Sequence, residues 1–342
     1  MRTKVILITG ANGEVGHGLI KQLRQHKALP IIVLDVRGLD PAMNAFVDTT
    51  IVGDILDTGL LDMLTSEYEI DTVYHLAALL STHSEFRPES AHRVNVQGTI
   101  NLMQLAIDQA RWRSEAVKFI FPSSVAVYGM PDLATKATAA PVSEDQYLMP
   151  TTMYGCNKLY CEHLGRYYAA HYRQLAAEPD RFGIDFRCVR FPGLISATTM
   201  PSGGTSDYAP EMLHAAAKGE AYAAFVRPDT AMPFMTMPDA IQALLQLADA
   251  PREQLKRPVY NVTSFSLSAE QVAQRVVDAF PRAELSYEPS TGRQGIVDSW
   301  PAAMDDSAAR REWGWAPQYD VDAAFDDYLL PIIRQQYGKR TV

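Results

Sequence analysis

Tyr154 and Lys158 stand four residues apart in Tyr154-Gly155-Cys156-Asn157-Lys158. On a helix that spacing puts both side chains on one face. An ammonium beside a phenol stabilises the phenolate and lowers the phenol's pKa. A tyrosine alone is too weak an acid to serve as a base near neutral pH; one tuned this way can take a proton from an alcohol. Upstream, Ser123 and Ser124 close the apolar run Val117-Lys118-Phe119-Ile120-Phe121. Hydroxyls at the carboxyl end of such a strand face a crevice, so Tyr154, Lys158 and Ser124 form the candidate catalytic set.

A second constellation would hold the other reactant. Lys4-Val5-Ile6-Leu7-Ile8-Thr9 reads as a buried strand. It runs into Gly10-Ala11-Asn12-Gly13-Glu14-Val15-Gly16, and a helical pattern follows from Gly18. Strand, glycine-rich turn and helix in that order cradle a diphosphate. The glycines allow a tight turn and close approach, and the helix N-terminus offers unpaired N–H groups to the anion. Asp35, 19 positions beyond Gly16, closes Ile31-Ile32-Val33-Leu34. A carboxylate there accepts from an adenosine ribose and repels a 2′-phosphate, which favours NAD over NADP. Arg37, two residues on, could pair with a phosphate and soften that preference.

These residues need a frame. Strand candidates are 4–9, 31–35, 49–53, 71–76 and 117–121, alternating with helix candidates 14–27, 56–66 and 90–110. The alternation predicts a parallel sheet covered on both faces. The third strand ends in Gly53-Asp54-Ile55, where Asp54 either meets an adenine amino group or caps helix 56–66. The fourth ends in His75-Leu76-Ala77-Ala78-Leu79-Leu80-Ser81. Leu76, Ala77 and Ala78 let a cofactor lie against the backbone, and His75 reads as a buried, satisfied histidine. Ser81 is either a loop serine or a substrate contact. Asn95, an amide in an apolar helical stretch, needs partners; it either holds backbone near a nicotinamide or bonds locally. Residues 131–151 read as a surface excursion and 173–183 as a charged surface loop. Strand 184–191 ends in a kinked exit, Arg190-Phe191-Pro192-Gly193-Leu194, whose backbone at Leu194 could meet a carboxamide. Beyond it the alternation breaks down. Elements are expected near 208–218, 238–249, 258–262, 268–279 and 283–287, with Asp306 or Ser307 capping a helix that ends before Trp313.

The fold class is therefore α/β: a Rossmann-type doubly wound parallel sheet with a smaller C-terminal α/β substrate lobe. Residues 1–195 make the NAD-binding domain with the catalytic Tyr and Lys. Residues 196–342 are mainly the substrate lobe, closing over the crevice as a lid while some segments return to the core. The chain has 342 residues, 47% of them apolar, and a formal net charge of −9. That charge argues against nucleic acid as the main partner. Cys156, Cys161 and Cys188 have neither disulfide-framework nor metal-site spacing, so no metal is expected. Their scarcity fits a reducing compartment. No apolar run reaches membrane-spanning length, and the first strand begins at once, so a cytoplasmic location is expected.

With Thr9-Gly10-x-x-Gly13-x-x-Gly16, Ser124 and Tyr154-x-x-x-Lys158 on the page, the chain resembles the extended short-chain dehydrogenase/reductase family. Asp306-Ser307-x-Ala309 with Trp313-Gly314-Trp315-x-Pro317 is similar to that family's tail. The resemblance implies an NAD(P)-dependent reaction at a carbinol carbon and a homodimer through helices 90–110 and 154–175. It narrows to the short-chain type of L-threonine 3-dehydrogenases through 75–81, 185–196, Gly203-Gly204-Thr205-Ser206-Asp207-Tyr208-Ala209, Arg227-Pro228-Asp229-Thr230, Tyr260-Asn261-Val262 and Asp298-Ser299-Trp300-Pro301. It implies that Ser81, Gly204, Thr205 and Trp300 surround a small amino acid, L-threonine, with Tyr154 as base and Ser124 as its hydroxyl partner. Ser124 stands where that group often has threonine, and 173–183 is longer than usual. A nucleotide-sugar epimerase or dehydratase is the competing enzyme. Dehydratases place Asp and Glu after the active-site hydroxyl, where this chain has Val125-Ala126. Epimerases often have Asn and Tyr-Gly-Pro after the strand exit, where this chain has Pro192-Gly193-Leu194-Ile195. A non-catalytic redox sensor would need none of Ser124, Tyr154 and Lys158.

Overall fold

The computed structural model describes residues 2–177, 182–199 and 204–338. At its centre is β1 (Thr3–Thr9), where Val5, Ile6, Leu7 and Ile8 are all buried. A strand apolar on both faces needs cover on both. β2 (Ile31–Asp35) and β3 (Thr49–Val52) lie to one side of it. On the other lie β4 (Tyr68–His75), β5 (Val117–Ser124) and β6 (Ile184–Phe191). All pairings are parallel. The strand order reverses between β1 and β4, and open α/β sheets bind ligands in the crevice outside the strand ends at such a point.

After β6 the chain builds a second lobe. β7 (Gly193–Ile195), β9 (Ala231–Thr236) and β11 (Phe265–Ser268) form a three-stranded sheet, and β8 (Tyr222–Ala224) pairs with β12 (Leu285–Tyr287). β10 (Val259–Asn261) instead joins the seven-stranded sheet beside β6. Helix Met237–Asp249 buries Ile241 and Leu244 in the apolar cluster of Ile8, Leu19 and Ile20, and Trp313 and Trp315 enter the same cluster. β11, antiparallel to β9, has no counterpart in the sequence reading. Its four residues alternate buried and less buried faces, too short a pattern to distinguish from a loop.

One local expectation is refined and two are corrected. Residues 131–151 run mostly at the surface, as expected, but not as a plain loop. Asp132 caps helix Leu133–Thr138 through Thr135 N–H (2.7 Å), and Lys136, Val142 and Glu144 are buried. These three side chains anchor the segment to the body of the protein. Asp54 does not cap the following helix. Its carboxylate accepts from Leu56 N–H at 3.0 Å, while Asp57 caps helix Thr58–Glu67. Asp306 precedes helix Ser307–Trp313 without capping it by its side chain. Asp305 accepts from Ser307 N–H (2.9 Å), whereas Asp306 is taken by Arg310 and by the Trp315 indole N–H (3.0 Å). In the last two cases two carboxylates stand within three positions, and the sequence pattern does not say which of them bonds to the helix start. Of the loop expected at 173–183, residues 178–181 lie outside the described residues, as do Ser202 and Gly203.

Candidate active site

Two glycines bring the crevice walls together. Gly10 has φ +70°, and a Cβ on it would lie 2.5 Å from the backbone N of Ala77 at the exit of β4. A side chain there would part the two strand ends that cofactor binding needs side by side. Thr152 opens helix Met153–Ala170 by accepting from Gly155 N–H at 3.0 Å. A Cβ on Gly155 would lie 2.0 Å from the carbonyl oxygen of Ala126. The helix start can therefore press against the turn Val125–Val127, which Ser124 caps through Ala126 N–H (3.2 Å). Tyr154 and Ser124 reach one wall by this route.

Lys158 is buried. Its ammonium donates to the carbonyl of Pro122 at 2.7 Å and lies 5.6 Å from the centre of the Tyr154 ring. Burial pushes Lys158 down to about 8 and raises the Tyr154 phenol well above its usual range. In the free protein, then, burial outweighs the lowering that the Tyr–Lys spacing suggests.

His75 takes no part in proton transfer. Nδ1 faces Thr9 Oγ1 at 2.7 Å and Nε2 faces Thr99 Oγ1 at 2.9 Å. The Thr99 hydroxyl spends its proton on the carbonyl of Asn95 (2.5 Å), so Nε2 must donate and Nδ1 must accept. Burial pulls its pKa down to about 3, and the ring is neutral. Asn95 sits in a π-helical turn, Arg93–Gln97, a widening frequent at functional sites. Its side chain accepts from Leu79 N–H (2.7 Å) and donates to Leu79 C=O (3.0 Å). It thus holds the exit of β4 from behind.

One cavity of about 790 Å³ runs along this crevice. Apart from Asn95, every described residue singled out for cofactor, catalysis or substrate lines it. At one end are the glycine turn, Asp35, Arg37, Asp54 and Ile55. Asp35 is held by Asn12 N–H (3.0 Å) and Arg37 N–H (3.1 Å). In the middle are Leu76, Ala77, Ala78, Ser124, Tyr154, Lys158 and Leu194. At the far end Thr205 donates to Ser81 Oγ at 3.0 Å, joining the second lobe to the start of helix Ser81–Phe86. Trp300 closes that end, 4% exposed, its indole N–H buried without a partner among the described residues. It is both core aromatic and cavity wall.

The cavity takes in Ser123, the other strand-end hydroxyl expected to face it, and also His83, Ser196, Thr199 and Asp207, which the sequence reading did not single out as site residues. A buried ion pair ties two elements of the first lobe together. Arg190 on β6 donates twice to Glu162 on the helix that carries Tyr154 and Lys158 (2.9 and 2.6 Å), and also to Tyr128 Oη and Glu144 C=O. Glu144 in turn accepts from Asn261 N–H and Arg257.

The sequence pattern of the NAD dependent epimerase/dehydratase family matches residues 6–263. The chain belongs to this family. Bovine (Bos taurus) mitochondrial L-threonine 3-dehydrogenase is 33% identical over 318 residues, 92% of this chain and 79% of that protein. An uncharacterised epimerase/dehydratase of Staphylococcus aureus strain USA300 is 35% identical over 97% of this chain and 98% of its own. The crystal structure of L-threonine dehydrogenase from Clostridium difficile superposes with a TM-score of 0.84 at 33% identity, covering 98% and 99% of the two chains. Membership of the family implies a nicotinamide cofactor, and the cavity fits one. It has a glycine turn that admits no side chain at Gly10, the Asp35 carboxylate at the end of β2, and small residues lining the strand ends. Among the described residues no group of three His, Cys, Asp or Glu could hold a metal ion. No described helix is long and apolar enough to cross a membrane.

Proposed function

We propose that the chain oxidises L-threonine at its β-carbon to 2-amino-3-oxobutyrate, with NAD as the oxidant. The observation that carries the reading is the single cavity in which the Thr205–Ser81 pair and Trp300 face the Tyr154–Lys158–Ser124 set. Polar hydroxyls suit the charged ends of a small zwitterion, and the indole wall keeps water from the reacting carbon. Bound NAD would accept the hydride from Cβ and place a cationic ring near the phenol. Tyr154 takes the substrate's hydroxyl proton, Ser124 orients that hydroxyl, and the Lys158 ammonium stabilises the phenolate. Threonine thus loses a hydride from carbon and a proton from oxygen, and the ketone forms. Orientation of the carbinol by the second lobe supplies part of the rate.

The test is NADH formation with L-threonine, its stereoisomers and L-serine, and, in parallel, formation of UDP-glucose from UDP-galactose, which leaves no net NADH. Turnover confined to L-threonine supports the reading. Conversion of UDP-galactose alone would replace it with the nucleotide-sugar epimerase reading. Thr205→Ala removes the donor to Ser81. The expected result is a KM for L-threonine raised about two- to tenfold, the worth of one neutral hydrogen bond, with the Kd for NAD unchanged.

The preference for NAD is read from Asp35, whose carboxylate would face a 2′-phosphate. NADP is expected to bind at least about tenfold more weakly than NAD, a difference of roughly 1.4 kcal/mol. Equal dissociation constants by fluorescence titration would remove Asp35 from that role. The homodimer is proposed to form through helices Gly98–Arg113 and Met153–Ala170, which leave Trp112, Tyr160 and Tyr167 exposed; light scattering tests it.

A further inference from the structure

Glu14 opens helix Glu14–His26, directly after the second glycine of the turn. That helix end is the anion site of the fold, where unpaired N–H groups and the helix dipole favour negative charge. A carboxylate there is unremarkable if it faces water. This one lines the cavity; its Oε1 is buried with no hydrogen-bond partner among the described residues, and the Thr199 hydroxyl bonds to the carboxyl group. Its polar neighbours across the crevice come from the second lobe: the Thr199 hydroxyl and the Asp207 carboxylate. The Tyr328 phenol, in the turn Ala324–Leu329, also senses its charge.

The chemistry at this point is crowded with negative charge. A diphosphate that docks on the helix end approaches Glu14, while Asp207, lining the same cavity, adds a second negative charge that acts on this carboxylate. Two outcomes are possible for a carboxylate so placed. It stays ionised and repels the ligand, or it takes a proton and becomes a hydrogen-bond donor to a phosphate oxygen. The second removes the repulsion and gives the orphaned oxygen a partner. We propose that Glu14 takes up a proton when the dinucleotide's diphosphate binds, linking cofactor affinity to pH through this one side chain.

The inference rests on the NAD reading above. Burial raises the Glu14 pKa in the free protein; the Thr199 hydrogen bond opposes it and the Asp207 charge adds to it. A neighbouring diphosphate raises it further, so the bound form holds more proton than the free form between the two pKa values. In that window affinity falls as pH rises, by up to about tenfold per pH unit. Below the free-state pKa and above the bound-state pKa it is flat.

The experiment is isothermal titration of NAD, and separately of ADP-ribose, into the protein from about pH 5 to about pH 8, in buffers of low and high ionisation enthalpy. ADP-ribose carries the diphosphate without the nicotinamide. The expected result is uptake of up to about one proton with either ligand in the wild type. In Glu14→Gln there is none, with a pH-independent Kd that is tighter at the alkaline end. The amide keeps the size and the polarity, and a thermal melt checks that the variant is folded. Binding without proton uptake in the wild type, or the same uptake in Glu14→Gln, would overturn the inference and leave the cofactor reading intact. Absence of binding by either ligand would overturn both.

Discussion

Tyr154→Phe is expected to lower kcat for L-threonine oxidation by about 10²- to 10⁴-fold, the usual worth of a positioned general base. The ring keeps its place against the turn at Val125–Val127, because that contact is made by helix packing at Gly155 and not by the phenol. NAD affinity should therefore stay within about threefold, and the loss belongs to the chemical step. The pH profile provides a second readout. Burial holds the phenol above its usual range in the free protein, so the fraction of phenolate is small and grows with pH. In the wild type kcat/KM should rise about tenfold per pH unit on the acid limb. Lys158, held near 8 by burial, loses its ammonium as pH rises past that value, and the gain should flatten there. Near-normal kcat in Tyr154→Phe would assign the proton to another group.

Glu162→Gln is expected to destabilise the fold by about 3–5 kcal/mol, the cost of leaving a buried charge unpaired. Arg190 and Glu162 are each buried and meet through two short bonds. The amide would present a donor where the guanidinium requires an acceptor. The measurement is the denaturant midpoint at constant m-value. Replacing both partners, as in Glu162→Leu with Arg190→Met, should cost less than either single change, because no charge is stranded. Equal stability of Glu162→Gln and wild type would show that the pair contributes nothing net. The geometry also gives the pair a place in function: it ties the helix of Tyr154 and Lys158 to β6, just before the kinked exit at Phe191–Leu194.

Much of the cofactor half was legible in the sequence because its signals are local. A glycine turn between an apolar strand and a helix, an acidic residue ending the second strand, and a tyrosine four residues before a lysine each declare a backbone shape or a shared face within a few residues. β1, β2 and helices 14–26 and 208–218 lie close to where periodicity puts them. His75 reads as buried and satisfied from its apolar neighbours, and it is.

What the tertiary structure alone decided are the non-local matters. Periodicity cannot say that β10 returns to the seven-stranded sheet while β7, two residues after β6, leaves it. It cannot pair Ser81 with Thr205 across 124 positions or choose among neighbouring carboxylates. Asp54 and Asp57 are equivalent on paper, and so are Asp305 and Asp306. Nor does periodicity show which side chain of 131–151 goes inside: the fold buries Glu144 against Asn261 and Arg257 and turns its carbonyl to Arg190. For the Ser81–Thr205 pair and for Glu144 the physical reason is the same. A polar side chain states that it needs a partner, but the identity of the partner depends on which distant segment the packed core brings within about 3 Å.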